Sequence, residues 1–339
     1  MKPTPAFHTS AAMQGFHAEF KNLDDYIRVI TDRIWEGRQI EAIRDYYSDP
    51  CGVITPSGAS TDVQSVIDGT KATLAQFPDR RLLAEDVIEA GDAQAGFLSS
   101  HRIISTMTHL GDGNFGIATG KKIVVRTVAD CVCKDNRIVH EWLVRDQAAI
   151  AQAVGTTAHA LALRWLTART QPLLPLPQPA APVWWRNPIS DEPLAQRYAN
   201  AVGHRLTAQD ADELLYDEAA CSLGPANSAH YGRAEINKFY AEIAGSICST
   251  SYEIESNTFV PASGGTGRSA RVALRWRLKG QHSGQGRYSA LPLNRLDILG
   301  INHAEFVKVN GHWQVHREWV LIDEVAVWMQ VLDGTVKKN

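Results

Sequence analysis

The chain has 339 residues, a length that implies two domains, and its 44% hydrophobic and 21% charged residues let each half bury a core. A net charge of −3 leaves no basic footprint for nucleic acid, and no apolar run is long enough to span a bilayer. The opening Met1-Lys2-Pro3-Thr4-Pro5 lacks the apolar stretch of a signal peptide, and five cysteines without a CxxC pair fit a reducing, cytoplasmic setting rather than a disulfide framework.

In chain order, Ile27, Ile30, Ile34 and Trp35 recur at helical spacing, which predicts helix from Asn22 to Asp49. A second helix is expected from Val63 to Phe77, stopped by Pro78. Strand-like runs follow at 82–88, 95–108, 121–133 and 137–144, with Cys131 and Cys133 on one face. Residues 147–170 read as Ala-rich helix. The proline-rich stretch from Gln171 to Pro182 reads as an extended linker, docked onto a domain by Trp184 and Trp185. Beyond it, Pro193 sits where a first helical turn begins; helices are expected to about Ala220 and from Arg233 to about Ile247. Strands are expected at 251–260, 270–279, 295–309 and 313–322. Helices first and antiparallel strands after is an α+β pattern, not a doubly wound one. The expected organisation is a first domain over 1–160, a linker over 161–188 and a second domain over 189–339.

Three signatures occur twice in the same order. Tyr46-x4-Cys51 matches Tyr216-x4-Cys221; Arg102-x6-His109-x-Gly111 matches Arg275-x6-His282-x-Gly284; Glu141-Trp142-x3-Asp146 matches Glu318-Trp319-x3-Asp323. Three matches in register imply an internal duplication.

The run from His109 to Lys122, with Gly111, Thr119, Gly120 and Lys121, resembles the hallmark of the SnoaL-like polyketide cyclase family: a G-x-H-x-G turn, a T-G-K segment, and a closing strand ending in W-x3-D. The second half keeps Gly280-Gln281-His282-Ser283-Gly284 but has Tyr288-Ser289-Ala290-Leu291-Pro292 in place of T-G-K; the first half has Met107 where the leading glycine belongs. The resemblance covers most of 22–155 and 190–332. It implies two cone-shaped domains of the nuclear-transport-factor-two-like, cystatin-like kind, each a curved antiparallel sheet wrapped around helices and enclosing a pocket. It also implies ring closure, dehydration or double-bond shift without metal or organic cofactor. Such chemistry needs one group to take a proton beside a carbonyl and another to donate to the enolate oxygen; a buried carboxylate and a histidine suffice.

The candidate catalytic residues are therefore Glu141, Asp146 and His109, with Glu318, Asp323 and His282 in the second half. Strand alternation puts Ile138, His140, Trp142 and Val144 on one face and Val139, Glu141 and Leu143 on the other, so Glu141 and Asp146 are alternatives for the pocket carboxylate. In the cyclases the acid-base aspartate lies nearer mid-strand, at about Leu143 here, which does not ionise. Arg102 and Arg275 clamp a substrate oxyanion or pair with Glu141 and Glu318 across the sheet. His101, His140, Trp142 and Trp319 complete the expected substrate-binding set, and each also reads as a packing residue. No P-loop, G-x-G-x-x-G, H-E-x-x-H or G-x-S-x-G motif is present, no histidines stand at metal-ligand spacing, and the run 263–267 reads as a hairpin loop.

Two readings of function follow. One is a cofactor-independent lyase, isomerase or cyclase acting on a small apolar carbonyl compound, with one or both copies active. The other is a ligand-binding or assembly protein in which the duplication replaces a homodimer, a pseudo-dimer in one chain that can oligomerise further. The first expects a dry cavity with convergent acid and histidine; the second expects plugged pockets or carboxylates tied up by neighbours.

Overall fold

The computed structural model of the chain describes residues 11–171, 173–263, 267–290 and 293–335. Of the segments singled out above, residues 1–5, Pro172, residues 264–266 and Leu291-Pro292 lie outside the described residues. The chain divides into two compact units, one of residues up to 143 with 177–188, the other of residues 144–176 with 189 onward.

In the first unit, α1 (Leu23–Thr31) starts where the Asn22 side chain accepts the Asp25 amide, and it buries Leu23, Tyr26, Ile27 and Ile30 along one face. Next come α2 (Ile43–Tyr46), β1 (Tyr47–Thr55), β2 (Gly58–Ser60) and α3 (Val63–Gln76), the last capped by Asp62 on the Ser65 amide. Four long strands close the unit: β3 (Arg81–Asp92), β4 (Gly96–Thr108), β5 (Lys122–Lys134) and β6 (Arg137–Arg145). The sheet order is β2-β1-β6-β5-β4-β3. The linker residues of this unit dock through Trp185, which is buried, and Trp184, which lies against Gly96 and under the Lys134 ammonium at 4.5 Å.

The second unit contains α4 (Gln147–Val154) and α5 (Ala158–Ala168), then α6 (Pro193–Leu206), β7 (Tyr216–Leu223), β8 (Ala229–Tyr231), α7 (Gly232–Ala244), β9 (Ile247–Val260), β10 (Ala270–His282), β11 (Arg295–Val309), β12 (His312–Ile322) and α8 (Glu324–Leu332). Its sheet order, β8-β7-β12-β11-β10-β9, repeats that of the first. The α+β fold class and the duplication expected from sequence are observed.

Two details differ from the sequence reading. Each sheet is mixed, because β1 runs parallel to β6 and β7 parallel to β12. Residues 47–49 and 216–220 are strand rather than helix, since those backbones find partners on β6 and β12 that local periodicity cannot reveal.

The pairing also corrects the repeat. Tyr47 lies opposite Ile138 and Val53 opposite Glu141, whereas Tyr216 lies opposite Val315 and Ser222 opposite Glu318. Tyr216 therefore corresponds to Tyr47, not Tyr46, and Cys221 to Gly52, not Cys51.

Candidate active site

Opposed residues of an antiparallel pair share a sheet face. In the first unit Val87, Phe97, Ala129, Cys131, Cys133 and Ile138 join the core formed with Tyr26, Ile27 and Ile30 of α1 and Ile67 of α3, which defines the helix-lined inner face. Ser99 lies opposite Cys131, His101 opposite Ala129 and Val87, and Ile103 opposite Thr127, so Ser99, His101 and Thr127 point inward as well.

Glu141 belongs to the same interior. It is buried, its Oε2 accepts the Tyr47 hydroxyl at 3.0 Å, and its charge helps push up the thiols of Cys51, Cys131 and Cys133, whose first cause is burial. Ile138 and Glu141 face the same way although two residues intervene, so simple alternation fails on this strand; the pairing with β1 shifts register at this place. The interior also holds polar atoms with no hydrogen-bond partner: Ser99 Oγ, Thr127 Oγ1 and His101 Nε2. Burial lowers the His101 pKa to about 3, with a smaller push from Arg28, so its imidazole is neutral at any physiological pH.

The second unit shows what the same frame becomes when it is filled. Aligning Arg275 with Arg102 sets Val272, Leu274, Trp276, Gly300, Asn302 and Ala304 at the places of Ser99, His101, Ile103, Thr127, Ala129 and Cys131. The Trp276 ring occupies the room left at Gly300, where an added Cβ would lie 2.1 Å from it. Glu318 is fully buried and accepts the hydroxyls of Tyr198, Tyr216 and Tyr240 at 2.7, 2.8 and 2.9 Å, that of Ser222 at 2.9 Å, and the Asn302 amide at 3.3 Å. Asn302 in turn accepts Trp276 Nε1–H at 2.9 Å, and Arg205 sits 4.3 Å over the Tyr216 ring. This carboxylate is committed to its neighbours; a buried charge so compensated is a packing element.

The remaining candidates fall elsewhere. By strand alternation Arg102 and Arg275 lie on the opposite sheet face from Glu141 and Glu318, which turns them away from the expected pairs. Each instead meets a glutamate at a register shift of the neighbouring strand, Arg102 with Glu85 at 3.3 Å and Arg275 with Glu255 at 3.1 Å. Asp146 and Asp323 are helix N-caps. Asp146 accepts the amides of Ala149, Ala226 and Asn227; Asp323 accepts those of Val325 and Ala326. Burial raises their pKa values, to about 6 for Asp146 and about 7 for Asp323.

His109 is buried 5.4 Å from the Phe77 ring, with Nδ1 3.2 Å from Thr119 Oγ1. Just after it, the Leu110 and Gly111 amides bind the Gln76 carbonyl, and a Cβ on Gly111 would sit 2.0 Å from the Ala75 oxygen. The His-x-Gly signature thus clamps the C-terminus of α3. His282 is equally buried, and neither of its ring nitrogens has a hydrogen-bond partner. His140 and Trp142 contact each other at 4.4 Å beside Gly52 and the linker residue Pro179. Trp319 lies opposite His303, on the Arg275 side of its sheet.

Of the sequence candidates, then, the inner face gathers Glu141 and His101 in the first unit and Glu318 in the second. Sequence reasoning missed Tyr47, Ser99 and Thr127, and put Cys131 and Cys133 on one face without placing them beside Glu141; the adjacent Tyr46-Tyr47 pair allowed two alignments with Tyr216, and only strand pairing chooses between them. Among the described residues no group of three or more His, Cys, Asp or Glu is arranged to hold a metal ion, and no helix is long and apolar enough to cross a membrane.

Residues 26–154 match the family model described as SnoaL-like polyketide cyclase, which bears out the resemblance for the first domain. A search of the curated proteins gives no match. Among solved structures the chain is similar to IdmH from Streptomyces antibioticus, with 20% identity over 39% of this chain and 98% of that chain and a TM-score of 0.35. It is similar also to a SnoaL-like polyketide cyclase from Agrobacterium tumefaciens, at 17% identity over 40% and 100% of the two chains with a TM-score of 0.34. TsrD from Streptomyces laurentii matches at 13% identity over 39% and 94%, with a TM-score of 0.34.

Proposed function

Taking residues 26–154 as a SnoaL-like polyketide cyclase domain, we propose that the chain is a cyclase- or isomerase-type enzyme whose chemistry resides in the first domain, on a small apolar carbonyl compound in the cytoplasm, while the second domain is a structural copy. The observation that carries this reading is the contrast between the two inner faces. The first carries Ser99, His101 and Thr127, with polar atoms unspent, on the inner face to which Glu141 also belongs; the second replaces them with Val272, Leu274 and Gly300 and surrounds Glu318 with donors.

In the first domain Glu141, steadied by the Tyr47 hydroxyl, takes the proton from the carbon beside the carbonyl. His101 stays neutral and donates a hydrogen bond to the oxygen as it gains negative charge, which a low-dielectric interior makes effective. The electron pair then re-forms the carbonyl by one of three routes. It takes a proton back at another carbon, as an isomerase; it expels a β-hydroxyl that leaves as water with the Glu141 proton, as a dehydratase; or it attacks a second carbonyl, whose oxygen receives that proton, as a cyclase. The non-catalytic alternative, in its assembly form, is favoured for the second domain by the committed state of Glu318 and by the Trp276 ring that fills its interior.

The test is exchange of α-protons for solvent deuterium, followed by NMR over a panel of small ketones and over any molecule that native mass spectrometry finds co-purified. Glu141→Gln is expected to abolish exchange and Glu318→Gln to retain it. Full exchange by Glu141→Gln removes the assignment.

A further inference from the structure

In the second domain α6 buries Ala195, Tyr198, Ala199, Val202 and Leu206 against its neighbours. A second stripe of the same helix, Asn200, Gly203, His204 and Thr207, recurs at i, i+3, i+4 and i+7 and so shares one face. Together with β9 it lines a cleft of about 470 Å³, a volume within the range of about 300–1,000 Å³ typical of small-molecule sites. β9 contributes Ser249, Thr250, Ser251 and Tyr252, four successive residues, where an unbroken strand turns every other side chain away. A bulge accounts for this: Ser249 pairs with Gly280 and Ser251 with Lys279, which leaves Thr250 as the extra residue. Gly203 admits the Tyr252 ring, since an added Cβ would lie 2.6 Å from it, and the Tyr252 hydroxyl donates to the Ala199 carbonyl at 3.3 Å. None of the residues around Glu318 lines this cleft.

The chemistry of the lining is uniform. It holds no lysine, arginine or carboxylate, and one aliphatic side chain, Ile254. Among the described residues the side chains of Asn200, Gln209, Ser249 and Ser251 make no hydrogen bond, and each can both donate and accept. His204 Nδ1 lies 3.0 Å from the Asp210 carbonyl, which fixes its proton there and leaves Nε2 as an acceptor. A charged ligand would find no opposite charge here, and an apolar one would strand these groups. A partner strand is disfavoured as well. β9 is the outermost strand of its sheet, but the Thr250 bulge and a second at Glu255 break the row of edge groups that strand addition needs. Hydroxyl groups, which donate and accept at once, match what the cleft offers.

We propose that the cleft between α6 and β9 binds a neutral polyhydroxylated molecule, of the size of a mono- or disaccharide. This goes beyond the assembly reading of the second domain and does not rest on the chemistry assigned to Glu141. Saturation-transfer difference NMR on the full chain reads binding, with glucose, mannose, maltose, trehalose and myo-inositol as probes and sodium hexanoate as the charged, apolar control. Transfer to at least one of the polyols is expected, and none to hexanoate. Ser249→Trp, which fills the cleft from an exposed position, is expected to abolish that transfer; Asn200→Ala/Ser251→Ala is expected to weaken affinity at least ~5-fold, since two side-chain hydrogen bonds are lost. No transfer to any of the polyols, undiminished transfer in Ser249→Trp, or transfer to hexanoate equal to that of the polyols overturns the proposal. Should Ser249→Trp not fold, amide exchange of the wild type decides. A saturating polyol is expected to slow exchange of residues 249–254 at least ~3-fold while β11 is unchanged, and no slowing at 249–254 overturns it. Both readouts are independent of turnover, so failure of the α-proton exchange assay would count against Glu141 and not against the cleft.

Discussion

The division of labour between the two glutamates can be tested by removing each. Glu318 satisfies the hydroxyls of Tyr198, Tyr216, Tyr240 and Ser222 and one amide hydrogen of Asn302. Truncation in Glu318→Ala leaves five donors in a buried space, at about 1–3 kcal/mol for each unsatisfied group. Some re-pair, because the Asn302 amide already lies 3.3 and 3.1 Å from the Tyr198 and Tyr240 hydroxyls, so a loss of about 4–6 kcal/mol is expected rather than the full sum. That is comparable to the whole stability of an ordinary domain. Glu318→Gln keeps an oxygen for the three tyrosines and asks only Ser222 to turn its hydroxyl round, for about 1–2 kcal/mol. Urea unfolding followed by tryptophan fluorescence is well placed to read this, since Trp276 donates to Asn302 inside the network. Loss of less than about 1 kcal/mol in Glu318→Ala would refute the view that this acid holds its domain together. Activity gained or lost in a well-folded Glu318→Gln would refute the view that it takes no part in the chemistry.

Other consequences follow from individual side chains. His101→Leu, which installs the residue found at the equivalent place in the second domain, is expected to end α-proton exchange while raising stability by about 1–2 kcal/mol, because a buried nitrogen without a partner is removed; thermal melts beside the NMR assay check both. Burial raises the Asp323 pKa from an ordinary 3.8 to about 7, so the folded state holds more protons between those values and stability from this group is lost as pH rises from about 4 to 7. Asp146 adds negative charge nearby and Arg145 partly offsets it. Asp323→Asn retains a capping oxygen and is expected to raise the melting temperature at pH 7.5 but not at pH 4.5, with α-proton exchange unaffected; equal effects at both pH values would show that its ionisation is immaterial. Gly300→Ala drives a methyl into the Trp276 ring and is expected to cost about 2–3 kcal/mol or more, with partial rescue by Trp276→Phe in the same urea assay.

The duplicated order of helices and strands, the α+β class and the family resemblance were legible in the chain because they rest on local signals: period, punctuation and repeated spacing. Asn22, Asp62 and Pro193 mark helix starts by chemistry that acts within one turn. The inward pairing of Cys131 with Cys133 is likewise set by the two-residue period of a regular strand.

Tertiary structure decided the rest. A shift of register brings Ile138 and Glu141 to one face, which alternation alone assigns to two. A one-residue offset makes Tyr47 rather than Tyr46 the partner of Glu141, and Tyr216 that of Glu318. Asp146 and Asp323 follow a tryptophan at fixed spacing, and only the helices that begin after them turn these acids into caps. The fate of each central glutamate depends on residues far away in the chain: Tyr198, Tyr240 and Asn302 for one, Tyr47 for the other. Sequence order carries local conformation. Which side chains a buried carboxylate meets is set by strand register and by volumes brought together over long separations, and those exist only once the sheet has closed over its helices.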